Sequence, residues 1–382
     1  MDIIAPTDFL IFVLVVGARF LLPLLIPFYP LPAIILCLLL DGVDQTIFQV
    51  FTTLPLDGYQ SYDKALDIYY LVVAYLSTFR NWSHLFAFRV SRFLLYYRLV
   101  GVVLFELTGL RPLLLLFPNT FEYFFIWYET VRLWWNPRRL SRVAVITAAA
   151  AIWIVIKLPQ EYWIHIFQGD VTDTIKALLG GGPDTPWGPL LAENALLIGV
   201  VLVAVGVGLW LLYRLLRSNL PRPDHKMRLR ADAHPDQPTA ADLERGRVLR
   251  DAHIFDRDLF EKVALISLLV IIFSEMLPTS NATLGQIVFN VALFVSVITA
   301  ISHLLARRGT RVASGIVHFA VVAVVGFGLI VLTGWLFREA TNWFNATTFV
   351  LLLSVIVTLF DRFQPAYLSR FERGALFARR TS

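Results

Sequence analysis

Charge and cysteine are both scarce in this chain. Charged residues fill 16% of its 382 positions, against roughly 25% in soluble domains, while hydrophobic residues reach 57%. With a mean hydropathy of +0.67, so much apolar surface cannot be hidden in one water-soluble core, and the chain needs lipid as its solvent. The single cysteine, Cys37, excludes an intrachain disulfide and any cysteine-built metal cluster, and inside an apolar run it reads as a small buried side chain. Also missing are a Gly-rich phosphate loop ending in GK[ST], an HExxH, a GxSxG and any hydrophilic stretch long enough for a nucleotide domain. Those absences argue against ATP-driven transport within this chain and against serine or zinc-protease chemistry of those types. The N-terminus, MDIIAPTDF, lacks the basic start of a cleavable signal peptide, so none is expected. A formal net charge of +5 could suit nucleic acid, but the basic residues fall in short loops between apolar segments. That is a topology signal, and no nucleic-acid partner is expected.

What the chain has in abundance is apolar runs of spanning length, about 20 residues each. Such runs predict helices near residues 61–80, 90–110, 113–135, 142–158, 190–213, 259–277, 283–305, 312–336 and 343–361. Residues 9–40 are almost unbroken apolar sequence, punctuated by Arg19, Pro23, Pro27, Pro30 and Pro32. The prolines near 27–32 favour a tight turn between two spans, the second running through Asp41 and Asp44 to about residue 52; one long kinked span is the alternative. The expected fold is therefore all-α, a polytopic transmembrane helix bundle of ten or eleven spanning helices.

Arginine sets the expected orientation. Segments 80–92, 132–142, 214–258, 306–311 and the tail after Asp361 are arginine-rich and alternate with arginine-poor connections, which places them in the cytoplasm. The expected location is the cell inner membrane, multi-pass, with a cytoplasmic C-terminus; eleven spans put the N-terminus outside and ten put it inside. The organisation reads as an N-terminal membrane module with embedded charges (1–158), an outer loop with a short interfacial helix (159–189) and a linking transmembrane helix (190–213). A basic cytoplasmic linker (214–258), with a short helix from about Thr239, a four-helix membrane module (259–361) and a basic cytoplasmic tail (362–382) follow.

The informative charges lie near the N-terminus. Asp41, Asp44, Asp63 and Asp67 border or interrupt apolar runs, where an ionisable side chain costs about 2.5 to 3.5 kcal/mol at bilayer depth and so requires partners, water or a function. On helices, the i,i+3 spacing of the first pair and the i,i+4 spacing of the second put each pair on one face, and the short connection makes the two helices antiparallel. All four could share one cavity, fit for Mg²⁺ or Ca²⁺, a cationic substrate or protons. Asp44 and Asp67 are the candidate proton or cation sites, Asp41 and Asp63 their supports, and Arg19 and Arg98 counter-charges or anion contacts. In the opposite reading, Arg19 and Lys64 neutralise part of the set and the rest meets water.

The spacing resembles the Asp-rich helix pairs of intramembrane prenyltransferases and CDP-alcohol phosphatidyltransferases, whose carboxylates hold Mg²⁺ against a diphosphate. It departs from both. Cys37 stands where the first pattern has Asn, and Asp41-Gly42-Val43-Asp44 where the second has Asp-Gly followed by Ala-Arg. Membership of neither family is inferred, and Mg²⁺ is implied as a cofactor, held by the four aspartates, only if that transferase reading holds.

Other charges have simpler readings. Arg89, Arg92 and Arg98 keep the three-residue phase of a voltage sensor, but the first two can snorkel, and Arg98 is expected to pair with Glu106 or Glu129. Glu129 and Arg132 can pair on one helix, leaving an aromatic groove among Tyr69, Tyr70, Tyr75, Tyr96 and Tyr97 as a lipid site. His303 and His318 could face each other, as a haem would need, and His165 has Glu161 one turn away. The functional expectation is a secondary transporter or lipid flippase built on the carboxylate cavity. A metal-dependent transferase acting on a lipid diphosphate is the first alternative and a non-catalytic membrane subunit the second, so membrane lipids are the expected partners, joined by partner membrane subunits in the second alternative; no catalytic residue is assigned.

Overall fold

The computed structural model describes residues 6–53, 59–167, 171–182, 185–234, 237–252, 257–274, 284–307, 315–337 and 343–380. It is 86% helical, with no strand among the described residues. The first two helices, α1 (Pro6–Leu21) and α2 (Pro30–Phe51), are joined by a 3-10 turn (Leu22–Leu25) and a corner over residues 26–29. Pro23 and Pro30 each sit at the start of a helical element, where a missing N–H is harmless, so the proline-rich stretch makes a hairpin of two spans.

Helix α3 (Tyr59–Asn81) is followed after three residues by α4 (Leu85–Thr108). The His84 ring accepts the Ala87 N–H at 3.0 Å and caps α4, so this helix starts inside the segment expected to be a loop. Gly109 ends it in the left-handed conformation, φ +68°, which favours glycine. The single helix expected over 113–135 is two, α5 (Pro112–Leu116) and α6 (Thr120–Trp134). Pro118 is the cause, because it lacks an N–H and biases Phe117 out of the helical region.

From Arg142 to Ile166 the chain is one rod: α7 (Arg142–Ala151), a π-helical turn (Ile152–Lys157), α8 (Leu158–Glu161) and a second π-helical turn (Tyr162–Ile166). Short α9 (Val171–Leu178) and α10 (Trp187–Glu193) lead to α11 (Ala195–Asn219), whose candidate span has none of its residues buried. The polar α12 (Ala240–Ala252) begins at Thr239, whose hydroxyl accepts the Asp242 N–H while Asp242 accepts the Thr239 N–H, a reciprocal capping box. Helices α13 (Arg257–Ser274), α14 (Leu284–Arg307), α15 (Gly315–Phe337) and α16 (Trp343–Arg380) complete the chain, and each packs against its neighbour in sequence. Helix α16 does not stop at Asp361. It continues through Pro365 because α12 lies along its second half, with Gly246 so close to the Pro365 carbonyl that no side chain would fit there.

Seven helices or helical rods among the described residues are long and apolar enough to cross a membrane, and the chain is a multi-pass membrane protein. The other stretches expected as spans, α3, α4, α6 and α13, fall short in length or carry more charge. For α3 the reason is packing. Every residue from Ile68 to Phe79 is buried, with α1, α2, α4, α6 and α16 around it, so its surface need not match lipid. Its Ser77 and Thr78 hydroxyls donate back to the carbonyls of Ala74 and Tyr75, both at 2.6 Å.

Candidate functional site

Three helices build the acidic site, and their register is fixed at several points. The Asp8 carboxylate on α1 accepts the N–H and hydroxyl of Thr53 beyond α2, at 3.0 and 2.7 Å, which ties one end of the hairpin. At the other end the Pro27 carbonyl at the corner accepts from Arg80 and Asn81 of α3, at 2.5 and 3.0 Å. Between them Tyr69 donates to the Phe20 carbonyl at 3.1 Å and stacks on its ring, 5.4 Å between centroids. Phe20 follows Arg19, so these contacts hold Arg19 level with the aspartates.

The Arg19 guanidinium is ion-paired with all four of them. Its Nη1 meets Asp44 and Asp63, and its Nη2 meets Asp41 and Asp67. Arg19 and Asp44 have side chains only 3% exposed, whereas Asp41 is 26%, Asp67 37% and Asp63 40% exposed, so the cluster has a sealed side and an open side. On the open side, carboxylate oxygens of Asp41, Asp63 and Asp67 lie within 4.8 Å of one another, close enough to hold a metal ion. Lys64 turns instead to Glu106 at 3.1 Å, with its ammonium over the Phe105 ring. Among the described residues four carboxylates thus meet one guanidinium, and these five groups together carry negative charge to spare unless protons or a cation supply the balance.

A second buried polar cluster adjoins the first. Tyr70, three residues beyond Asp67 on α3, donates to Glu122 of α6 at 2.5 Å. Glu122 also takes the Asn119 side-chain amide at 3.1 Å and the Lys157 ammonium at 3.5 Å, and Lys157 sits over the Tyr123 ring at 4.0 Å. Glu161, on the same rod as Lys157, accepts the Asn119 N–H at 3.0 Å and meets His165 at 2.9 Å. The break at Pro118 makes this possible, since it opens the N-terminus of α6 to a carboxylate from another helix. Lys157 is the buried base that sequence reasoning passed over. Its signal was there, a lone lysine between apolar runs in a span-length helix.

Arg98 does not join the acidic site. It donates to the Phe117 carbonyl at 3.0 Å and lies 3.9 Å from Glu161, and its two expected partners are held by other residues. Lys64 holds Glu106, while Arg132 at 3.1 Å and the Trp82 indole at 2.7 Å hold Glu129. Arg92 pairs with Glu261 of α13 at 2.8 Å, so Arg92 and Arg98 have separate partners and form no shared ladder. Tyr69, Tyr70 and Tyr75 are core residues; Tyr96 and Tyr97 line a cavity of about 380 Å³ with Arg89, Arg92 and Phe117. In the C-terminal helices Asp361 takes Lys262 at 2.6 Å, and the His318 Nε2 lies 3.2 Å from its other carboxylate oxygen.

Comparison with known protein families, with characterised proteins and with solved structures finds no match to this chain. The functional reading therefore rests on the geometry above.

Proposed function

We propose that this chain is a secondary transporter or lipid flippase whose coupling site is Arg19 with Asp41, Asp44, Asp63 and Asp67. The observation that carries this reading is the sharing of one guanidinium by four carboxylates inside a membrane protein. A structural ion pair needs one acid for each base; the extra acids here form a store of negative charge that protons or a cation can fill and vacate. When the open-side carboxylates are neutralised, their hold on Arg19 weakens, and Arg19 belongs to α1 while the aspartates belong to α2 and α3. Loading the site thus alters what binds α1 to its neighbours, which is the differential contact an alternating carrier needs. The arginine-rich ends of α3, α6 and α14 belong to the cytoplasmic side of the inner membrane in this reading, with the C-terminus there too.

The test is proton flux in proteoliposomes holding a trapped pH dye, with a potassium diffusion potential imposed by valinomycin. Wild-type protein should conduct protons above empty liposomes, and Asp44→Asn/Asp67→Asn should not. Equal flux from both proteins would overturn the reading. One observation favours a second reading, a transferase acting on a lipid diphosphate, namely the convergence of the Asp41, Asp63 and Asp67 oxygens. Those three would hold Mg²⁺ against the diphosphate, so Mn²⁺ should bind detergent-purified protein at one site per chain and be lost in Asp67→Asn.

A further inference from the structure

Away from the acidic cluster, where α6 leaves the apolar region, the chain folds back on the segment that follows α11. Trp135 donates its indole N–H to the Pro221 carbonyl at 3.1 Å, and Asp224 donates its backbone N–H to the Trp134 carbonyl at 3.0 Å. The Asp224 carboxylate in turn accepts the Asn136 N–H at 2.9 Å and Arg139 at 2.6 Å. Asn136 caps the 3-10 turn Pro137–Arg139, accepting the Arg138 N–H at 3.1 Å, so Arg138 and Arg139 project from one fixed turn. On the facing segment, Arg228 donates to the Ala233 carbonyl at 2.9 Å, the His234 ring meets the Arg228 carbonyl at 3.2 Å, and His225 packs edge-on to His234, 5.7 Å between centroids.

These two segments enclose a cavity of about 400 Å³ lined by Arg138, Arg139, Arg228, His225, His234 and Asp224, among others. Its charge is unbalanced in favour of cations. Asp224 is satisfied by Arg139 and a backbone N–H, Arg228 uses Nη1 on a carbonyl, and the Arg138 guanidinium makes no hydrogen bond or ion pair among the described residues. Guanidinium forks from two facing segments suit an oxyanion with several acceptor oxygens and up to two charges. The position points the same way. Trp134 and Trp135 mark the headgroup level, and Met227 and Leu229 beside the cavity are 51% and 44% exposed, as apolar side chains touching lipid would be.

We propose that this cavity binds a phosphate group, supplied by an anionic phospholipid headgroup or by a soluble phosphate ester. The full-length protein in detergent is exposed to phosphatidylglycerol or phosphatidylcholine and examined by native mass spectrometry, and is separately titrated with glycerol 3-phosphate by calorimetry. Arg138→Gln/Arg228→Gln is compared with Arg247→Gln, which removes one exposed arginine charge from α12. A lipid site retains phosphatidylglycerol over phosphatidylcholine; a soluble-ester site gives heat with glycerol 3-phosphate. In either case the double variant should bind about tenfold or more weakly and Arg247→Gln as wild type. The proposal is overturned if wild type binds neither probe, or if the double variant binds like wild type while melting at the same temperature.

Discussion

Replacing Arg19 by Gln removes the charge on which four carboxylates converge, and the structure says which of them matters. Breaking a buried ion pair by deleting one partner costs about 3–5 kcal/mol, mostly because the other charge is stranded, whereas exposed pairs contribute about 0–1 kcal/mol. Asp44, with its side chain 3% exposed, belongs to the first class; Asp63 and Asp67, at 40% and 37%, can rehydrate and fall near the second. Arg19→Gln should therefore lose about 3–5 kcal/mol, nearly all of it through Asp44. Arg19→Gln/Asp44→Asn should regain most of that loss, because the stranded charge is gone, while Arg19→Gln/Asp63→Asn regains about 1 kcal/mol or less. Arg19→Lys should be intermediate, since a single ammonium cannot hold two pairs of carboxylates with two separate nitrogens. The assay is unfolding of the purified protein in mixed micelles under a denaturing detergent, following tryptophan fluorescence. If Arg19→Gln unfolds within about 1 kcal/mol of wild type, or if Asp63→Asn rescues as well as Asp44→Asn, the guanidinium does not organise the site and the reasoning fails.

Three further outcomes are expected. Lys157→Met strands Glu122, whose side chain is 3% exposed, and should cost about 3–5 kcal/mol in the same unfolding assay, with Glu122→Gln restoring most of it. Thr239→Ala removes the cap of α12 and should speed amide exchange over residues 240–252 by an amount matching about 1 kcal/mol. The Thr239 hydroxyl and N–H hold the Asp242 carboxyl below its ordinary value of 3.8, so its support of the helix is complete above that value and is lost as pH falls through the lower folded one. Protection factors in α12, with the intrinsic exchange rate at each pH divided out, should accordingly fall on acidification below about pH 4 in wild type, and protection that does not change with pH would contradict the capping box. Gly246→Ala drives a methyl group into the Pro365 carbonyl and should lift α12 from α16, which a loss of disulfide cross-linking between cysteines placed on the two helices would detect.

Helices were legible wherever one segment decides its own fate. Apolar runs of spanning length, the prolines at the α1–α2 corner and the Thr239 cap all act within a few residues, and each element formed where those signals stand. Pro118 was equally local, but a purely apolar count over 113–135 passes through it, since proline interrupts hydrogen bonding without interrupting hydropathy. What local signals cannot convey is which helix stands at the centre. By composition α3 reads as a weak span, polar and rich in tyrosine, yet it is the most enclosed helix of the N-terminal half, because α16 arrives from the far end of the chain to cover it. The length of α16 has the same origin. Its continuation past Asp361 looks like a basic tail until α3 and α12 pack along α16, where Phe363, Ala366 and Leu368 are buried.

The acidic site illustrates the same division more sharply. That Asp41 and Asp44 share a face, and Asp63 and Asp67 another, follows from helical spacing alone; that Arg19 meets both faces requires the hairpin and the Tyr69–Phe20 contact that sets its height. Arg98 was unreadable because its partners come from elsewhere in the chain: it donates to the Phe117 carbonyl and lies 3.9 Å from Glu161, while Lys64 holds Glu106 and Trp82 and Arg132 hold Glu129. The two polar clusters then differ in kind. Around Glu122 and Glu161 the bases Lys157, His165 and Arg98 match the acids, and carboxylate oxygens are further occupied by Tyr70 and Asn119, the pattern of a charge network built to stay put. Around Arg19 acids outnumber the base and three of them face outward, the pattern of a site whose charge is completed from outside. Tyr70 stands between them, bonded to the balanced cluster and one helical turn from Asp67, so a change in the charge of the Arg19 site has a short route to the rigid one. That asymmetry, more than the number of acids, is why the Arg19 cluster is read as the working part of the molecule and the Glu122 cluster as the frame that holds it.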